Sequence, residues 1–330
     1  MIYQDLLKQM LSGWEKYYQQ VMNGDFSAVC WKEGHHETYG TYDTQSTDRL
    51  KLCCYILYYH KNVPEEILLR LFEEECQNLE TNSFQGVSEA VKILTVLLSV
   101  SENHYPELFE RAKNANFDCY CGYECETDLF RRIMKELPDF NAERCLSLAY
   151  DTGETDYALQ FLDIVKSEYV IKDESDCRNL IWWNEQLGRT ADNEPILRKC
   201  IEFAVMKNVP WEIIYAHHKL MEFLIGQKRF SEAYQEFEIL SGMDLSDCYG
   251  VNLFGSILES CLDLINADIP QARTVWKWAK HHIKRELKNS NGMYGIFYEK
   301  LIPAAQLMNP RFARKVQEQY QLWKKINKIS

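Results

Sequence analysis

Residues 214–242, IYAHHKLMEFLIGQKRFSEAYQEFEILSG, decide the fold. Leu220 and Leu224, then Phe230, Ala233, Phe237 and Leu240, recur at three- and four-residue spacings, which places one apolar stripe on each of two helices. Gly226 and the Gln-Lys-Arg run after it mark the turn between them. The small Ala233 lets the second helix sit close against the first, and Phe237 and Leu240 continue that contact. One such pair cannot bury its own face, so neighbouring pairs are expected to stack on it.

Working outward, the unit recurs. A small or aliphatic seat is followed four and seven residues later by further apolar residues: Ala158, Leu162, Val165; Ile196, Cys200, Phe203; Ala233, Phe237, Leu240; and Ala272, Trp276, Ala279. The seats lie 38, 37 and 39 residues apart. Ala313 begins a further candidate, with Gln317 and Tyr320 fitting its apolar positions poorly. Ala90, Leu94 and Leu97 form an earlier one across an irregular gap.

Residues 220–240 resemble a tetratricopeptide repeat through Phe230, Ala233 and Phe237, the aromatic, small and aromatic residues of its second helix. AYDTGETDYALQFLDIV (149–165) and ADIPQARTVWKWA (267–279) resemble the same half-repeat through Ala158 and Ala272. Three features depart from the pattern: Met221 replaces the small residue of the first helix, no proline closes the unit, and the period exceeds the family's usual length of about 34. The resemblance covers about residues 150–320 and implies a right-handed α-helical solenoid whose concave groove binds a protein or peptide. In tetratricopeptide grooves the first helices line the site, so the residues implied are Arg178, Glu185, Tyr215, His218, Glu222, Ser256 and Asp263. Trp183, Leu220, Leu224 and Phe237 are assigned to the core.

The rest of the chain agrees with an all-α class. Its 330 residues allow a sizeable core, 46% are apolar and 26% charged, and 14 Gly with 8 Pro are too few for a fold of many tight turns. A helix is expected from Ile2 to about Met22, stopped by Asn23-Gly24. Residues 25–47 carry two glycines and several aromatics without helical period, and read as an irregular aromatic loop. Helices follow at about 46–60, 64–80, 85–101, 105–114, 127–137 and 142–150, the fifth broken by Pro138. Two regions are expected: a helical 1–140 and a repeat region 141–330 with a basic C-terminal end.

The opening residues lack the pattern of a secretory signal, and the longest apolar run, Val91 to Val100, is too short to span a membrane. The twelve cysteines are scattered, many of them within apolar helical runs, where a thiol acts as a small hydrophobe. A cytoplasmic setting without membrane contact is the expectation.

Chemical motifs are sparse. There is no GxGxxG, Walker-type loop or GxSxG, so nucleotide chemistry is not expected and no cofactor is assigned. Cys119, Cys121 and Cys125 lack the second ligand pair of a zinc site, and no metal is assigned. His35-His36 near Cys30 and Glu37 is the best place for a Cys/His active site, against the simpler reading of a loop cap. The pairs His217-His218 and His281-His282 cannot each chelate one ion, because adjacent helical side chains point about 100° apart. Glu73, Glu74 and Glu75 read as a solvated helix face.

Charge is distributed unevenly. From Arg273 onward 13 Lys and Arg stand against 3 acids, a net of +10; since the whole chain carries −12, the first 272 residues carry −22. Arg273, Lys277, Lys280, Lys284 and Lys288 share one helical face, with Arg311, Arg314, Lys315, Lys324 and Lys325 beyond it. That face either docks an anionic partner or packs on the chain's own acidic body. The expected function is a non-enzymatic adaptor or scaffold for a protein or peptide partner. Binding of nucleic acid or another polyanion through the basic helices is the alternative, an enzyme using the 25–47 loop a third reading, and an acidic inhibitor of a basic protein a further variant of the first.

Overall fold

The computed structural model describes residues 2–38, 40–82, 86–99, 105–123, 141–168, 170–246, 248, 252–289 and 295–327. Among them the chain is helical, apart from one two-stranded antiparallel hairpin. No helix of the described residues is long and apolar enough to cross a membrane. Contacts divide the chain into two compact units, 1–169 and 170–330.

In the first unit, α1 (Ile2–Ser12) and α2 (Glu15–Met22) replace the single helix expected over 2–22. The N–H groups of Gly13 and Trp14 bond back only three residues, to Met10 at 3.2 Å and Leu11 at 2.9 Å. This tightened turn drops Trp14 into the core at 3% exposure, where its Nε1 donates to Glu154 Oε1 at 3.1 Å. The 25–47 loop contains the hairpin of β1 (Glu33–His36) and β2 (Gly40–Asp43), with Gly34 opposite Tyr42. Most of β1 is exposed, so no period-two apolar signal announces it. A Cβ on Gly34 would lie 2.8 Å from the Tyr42 ring, so only glycine leaves that ring its place.

The unit continues with α3 (Ser46–Tyr58), α4 (Glu65–Thr81), α5 (Glu89–Ser99), α6 (Pro106–Lys113), α7 (Phe117–Gly122), α8 (Ala142–Asp151) and α9 (Thr155–Glu168). Apart from α7, which falls where no helix was expected, these agree with the expected spans to within a few residues; the helix expected at 127–137, Pro138 and Cys125 lie outside the described residues. The α8–α9 hairpin packs on α1, which places it in the first unit although the repeat region was expected to open at 141.

A buried charge cluster fastens the β-hairpin to the helices. Arg49, on α3, donates through Nε to Glu75 Oε2 at 2.6 Å, through Nη2 to Asp43 Oδ2 at 2.5 Å and through Nη1 to the Val29 carbonyl at 2.9 Å. Glu75 Oε1 also accepts from Ser88 Oγ and Asn78 Nδ2. The solvated face expected for Glu73–Glu75 is therefore corrected. Glu73 is exposed, Glu74 accepts the Trp31 N–H at 2.6 Å, and Glu75 is 1% exposed. The reason is that α4 is enclosed by β2, α3, α5 and α6, so an acid on its inner side needs a guanidinium.

The second unit comprises α10 (Glu174–Gln186), α11 (Asn193–Lys207), α12 (Pro210–Gly226), α13 (Phe230–Ser241), α14 (Leu253–Asn266), α15 (Ala272–Asn289), α16 (Gly295–Met308) and α17 (Pro310–Ile326). They pack pairwise in sequence, α10 with α11, α12 with α13, α14 with α15 and α16 with α17. Between pairs, α11 and α14 both touch α12, and α14 touches α16. Asp173 caps α10 by accepting the Ser175 and Asp176 N–H groups, and Pro210 and Pro310 open α12 and α17. Gly226 is still helical; Lys228, at φ 58°, makes the turn expected at the glycine. The seats Ile196, Ala233 and Ala272 are buried, as are Trp183, Leu220, Leu224 and Phe237.

Arg49→Met would leave Asp43 and Glu75 buried without their counter-charge. The expected cost is about 3–5 kcal/mol in denaturant unfolding, and wild-type stability would contradict the role given to the cluster.

Candidate binding groove

Two cavities adjoin in the second unit. The larger, about 660 Å³, opens over α10, α11 and α12, with Ile181, Trp182, Leu197, Cys200 and Phe223 among its apolar walls. The smaller, about 260 Å³, lies between α12 and α14 and is lined by Trp211, His218, Asn252, Leu253 and Ser256. Tyr215 and Lys219 line both, so the cavities adjoin at these two residues in a strip over α10, α11, α12 and α14, of which α11 is a second helix. The other three are the first helices of three successive hairpins.

The strip has a fixed polar framework. Glu174, only 3% exposed, accepts from Arg178 Nη1 at 2.9 Å and Lys207 Nζ at 3.1 Å. Asn184 Nδ2 donates to Asn193 Oδ1 at 2.7 Å, tying α10 to α11 beneath the larger cavity. Lys219 Nζ donates to Glu222 Oε2 at 2.7 Å and stands 5.7 Å from the Tyr215 ring centre. Burial alone would lower the Lys219 ammonium, yet the bond to Glu222 holds it above its ordinary range.

Of the seven residues expected to line a groove, Arg178, Glu185, Tyr215 and Glu222 line the larger cavity, and His218 and Ser256 join Tyr215 at the smaller. Asp263 lines neither; it accepts from Lys300 Nζ at 2.8 Å, in a bond between α14 and α16. Trp182, Trp211, Lys219 and Phe223 line the strip without having been singled out. Trp182 was readable beside Trp183: adjacent helical residues point about 100° apart, so burying one turns the other toward the rim. At 44% and 46% exposure, Trp182 and Trp211 are large apolar surfaces left open to solvent.

The other candidate residues are dispersed. His35 and His36 are exposed on β1, and Cys30 is half-buried in the turn before it. Cys119 is buried near the start of α7, and burial pushes its thiol up, away from the thiolate a metal requires; Cys121 is exposed. Among the described residues no three His, Cys, Asp or Glu side chains group as metal ligands. His217 meets Glu236 at 2.6 Å while His218 meets Ser260 at 3.1 Å, so the pair splits between α13 and α14. His282 packs on Phe254 and Trp278. Arg273, Lys277, Lys280 and Lys284 lie on α15 and line neither cavity; the Lys288 side chain lies outside the described residues.

His218, 1% exposed, gives the strip a pH dependence. Burial holds its imidazole below the ordinary value of 6.5, and this outweighs Glu222, whose Oε1 lies 3.6 Å away on a partly exposed side chain. The unfolded chain therefore takes up this proton more readily than the folded one. Stability from His218 is complete above pH 6.5 and is lost as the pH falls below it. His218→Gln is expected to flatten the fall in unfolding free energy below that pH, by up to about 1.4 kcal/mol per pH unit, in denaturant titrations. An unchanged slope would contradict the buried neutral state.

No protein-family model matches the chain, and comparison with curated proteins and with solved structures finds no match.

Proposed function

We propose that the chain is a non-enzymatic adaptor whose second unit captures a peptide, or an extended segment of a partner protein, in the strip across α10, α12 and α14. The observation that carries this reading is that two cavities adjoin at Tyr215 and Lys219, offering successive side chains of one segment a place on either side of these residues. The packing of α12 on α14 and of α14 on α16 fits tetratricopeptide-like hairpins in a right-handed solenoid, a form whose first helices line the concave side.

The chemistry of the strip supports a polypeptide ligand. Trp182 and Trp211 offer rigid aromatic area with few rotamers to lose, the character of interface anchors. The Arg178–Glu174 and Lys219–Glu222 pairs present directional polar groups without a strong net field. An extended chain alternates its side chains, so one inserts into the apolar cavity while its neighbours and amides meet the rim.

The test is a display selection of random peptides against the full chain, followed by titration of the enriched sequences. Trp182→Ala and Tyr215→Ala are each expected to weaken binding by about 1–2 kcal/mol with little change in melting temperature. Failure to enrich any sequence, or equal binding by both variants, would contradict the proposal.

A further inference from the structure

Most cations flanking the groove and the hairpin contacts of the second unit are engaged by acids. Arg178 and Lys207 meet Glu174; Arg198 and Arg229 meet Glu194 and Glu232; Lys219 meets Glu222; Lys300 meets Glu259 and Asp263. The last hairpins behave differently. Trp276 of α15 packs edge-on against Phe312 of α17 with ring centres 5.9 Å apart, so the two helices touch at that point. Around that contact stand Arg273, Lys277 and Lys280 on one helix and Arg311 and Lys315 on the other, all exposed except the half-buried Lys280. Among the described residues none of these five has an acid within ion-pair distance, and neither does Lys284, further along α15.

Two ordinary explanations fail. Cations near a helix C-terminus suit the helix dipole, but Arg273 and Arg311 stand in the first turns of α15 and α17, where the dipole opposes them, and neither first turn holds an acid. Packing against the chain's own acids would have produced the ion pairs seen around the groove. What remains is a cluster of like charges, repelling one another on a chain whose other 272 residues carry −22.

We propose that this face of α15 and α17 is a second docking surface, separate from the groove, for an acidic segment of a partner polypeptide. Arg273, Lys277, Lys280 and Lys284 follow one another by four, three and four residues, steps of about 4.5–6 Å along the axis. Alternate residues of an extended chain lie about 6.6–6.8 Å apart, close enough for successive carboxylates to meet successive cations. Single-stranded nucleic acid is disfavoured because the large aromatics here are turned inward: Trp276 is buried and Phe312 and Trp278 half-buried, which leaves His281 as the one exposed ring among these cations in the described residues. A long duplex would bring its phosphates within the field of the acidic remainder, whereas a short acidic segment engages the basic face alone.

The test uses the full chain in fluorescence anisotropy against a labelled peptide of alternating Glu and Ser, with a labelled duplex DNA of similar charge in parallel. The peptide is expected to bind saturably and more weakly as salt rises. Lys277→Glu with Lys284→Glu is expected to weaken it about tenfold or more, with unchanged melting since both side chains are exposed and unpaired. Trp182→Ala should leave it unchanged, so this proposal and the groove proposal fail separately. Peptide binding indifferent to the charge reversal would overturn the inference. So would tighter binding of the duplex, or self-association of the chain that the reversal abolishes, since either would give the face to another occupant.

Discussion

A hairpin of two α-helices closes one apolar seam and leaves another open. In the second unit that open surface is covered by the next hairpin. Leu220, Met221, Leu224, Phe237 and Leu240 are all buried, and they share one core with Leu253 to Ile265 of α14 and with Trp276 and Ala279 of α15. Each large side chain so enclosed contributes about 1.5–3 kcal/mol relative to leaving it in water, a gain that an isolated hairpin would not make. The close approach begins at Ala233, whose methyl group occupies a position that a larger residue would wedge open.

The same packing produces the groove. The two adjoining cavities lie over α10, α11, α12 and α14, and Trp182 of α10 and Trp211 of α12 line them while too exposed to belong to the core. The two units handle charge in opposite ways. In the first, Arg49 sits between Asp43 and Glu75 with each of its three side-chain nitrogens bonded, which fixes the β-hairpin to α3 and α4. At the end of the second, Arg273, Lys277, Lys280, Arg311 and Lys315 have no ion-pair partner among the described residues. The first arrangement is satisfied within the fold; the second is the face proposed above to dock an acidic segment.

Much of this was legible in the sequence, and for identifiable reasons. Helical period locates α4 and α13, each with one buried stripe, while α3, α5 and α14 are buried nearly all round and read as long apolar runs. The break at Gly13 was hidden because Trp14 keeps the apolar period of the helix while leaving its geometry. The β-hairpin was hidden because its strands are short and mostly exposed. Glu75 was misjudged because its partner Arg49 is 26 residues away, and burial of an acid depends on a partner that local pattern does not show. Of the seven residues that the tetratricopeptide resemblance implied, six line the two cavities; Asp263 lines neither, because α16 supplies a lysine to it. Trp182 and Trp211 were overlooked because a tryptophan in an apolar helix reads first as core.

Replacing Ala233 tests the account most directly, since the α12–α13 contact and, through it, the wall of the groove depend on that small side chain. Ala233→Leu is expected to overpack the seam, costing about 1–3 kcal/mol in denaturant unfolding and weakening the peptides selected by the wild-type groove. A variant that unfolds and binds as the wild type does would show that the hairpins are not held together in this way.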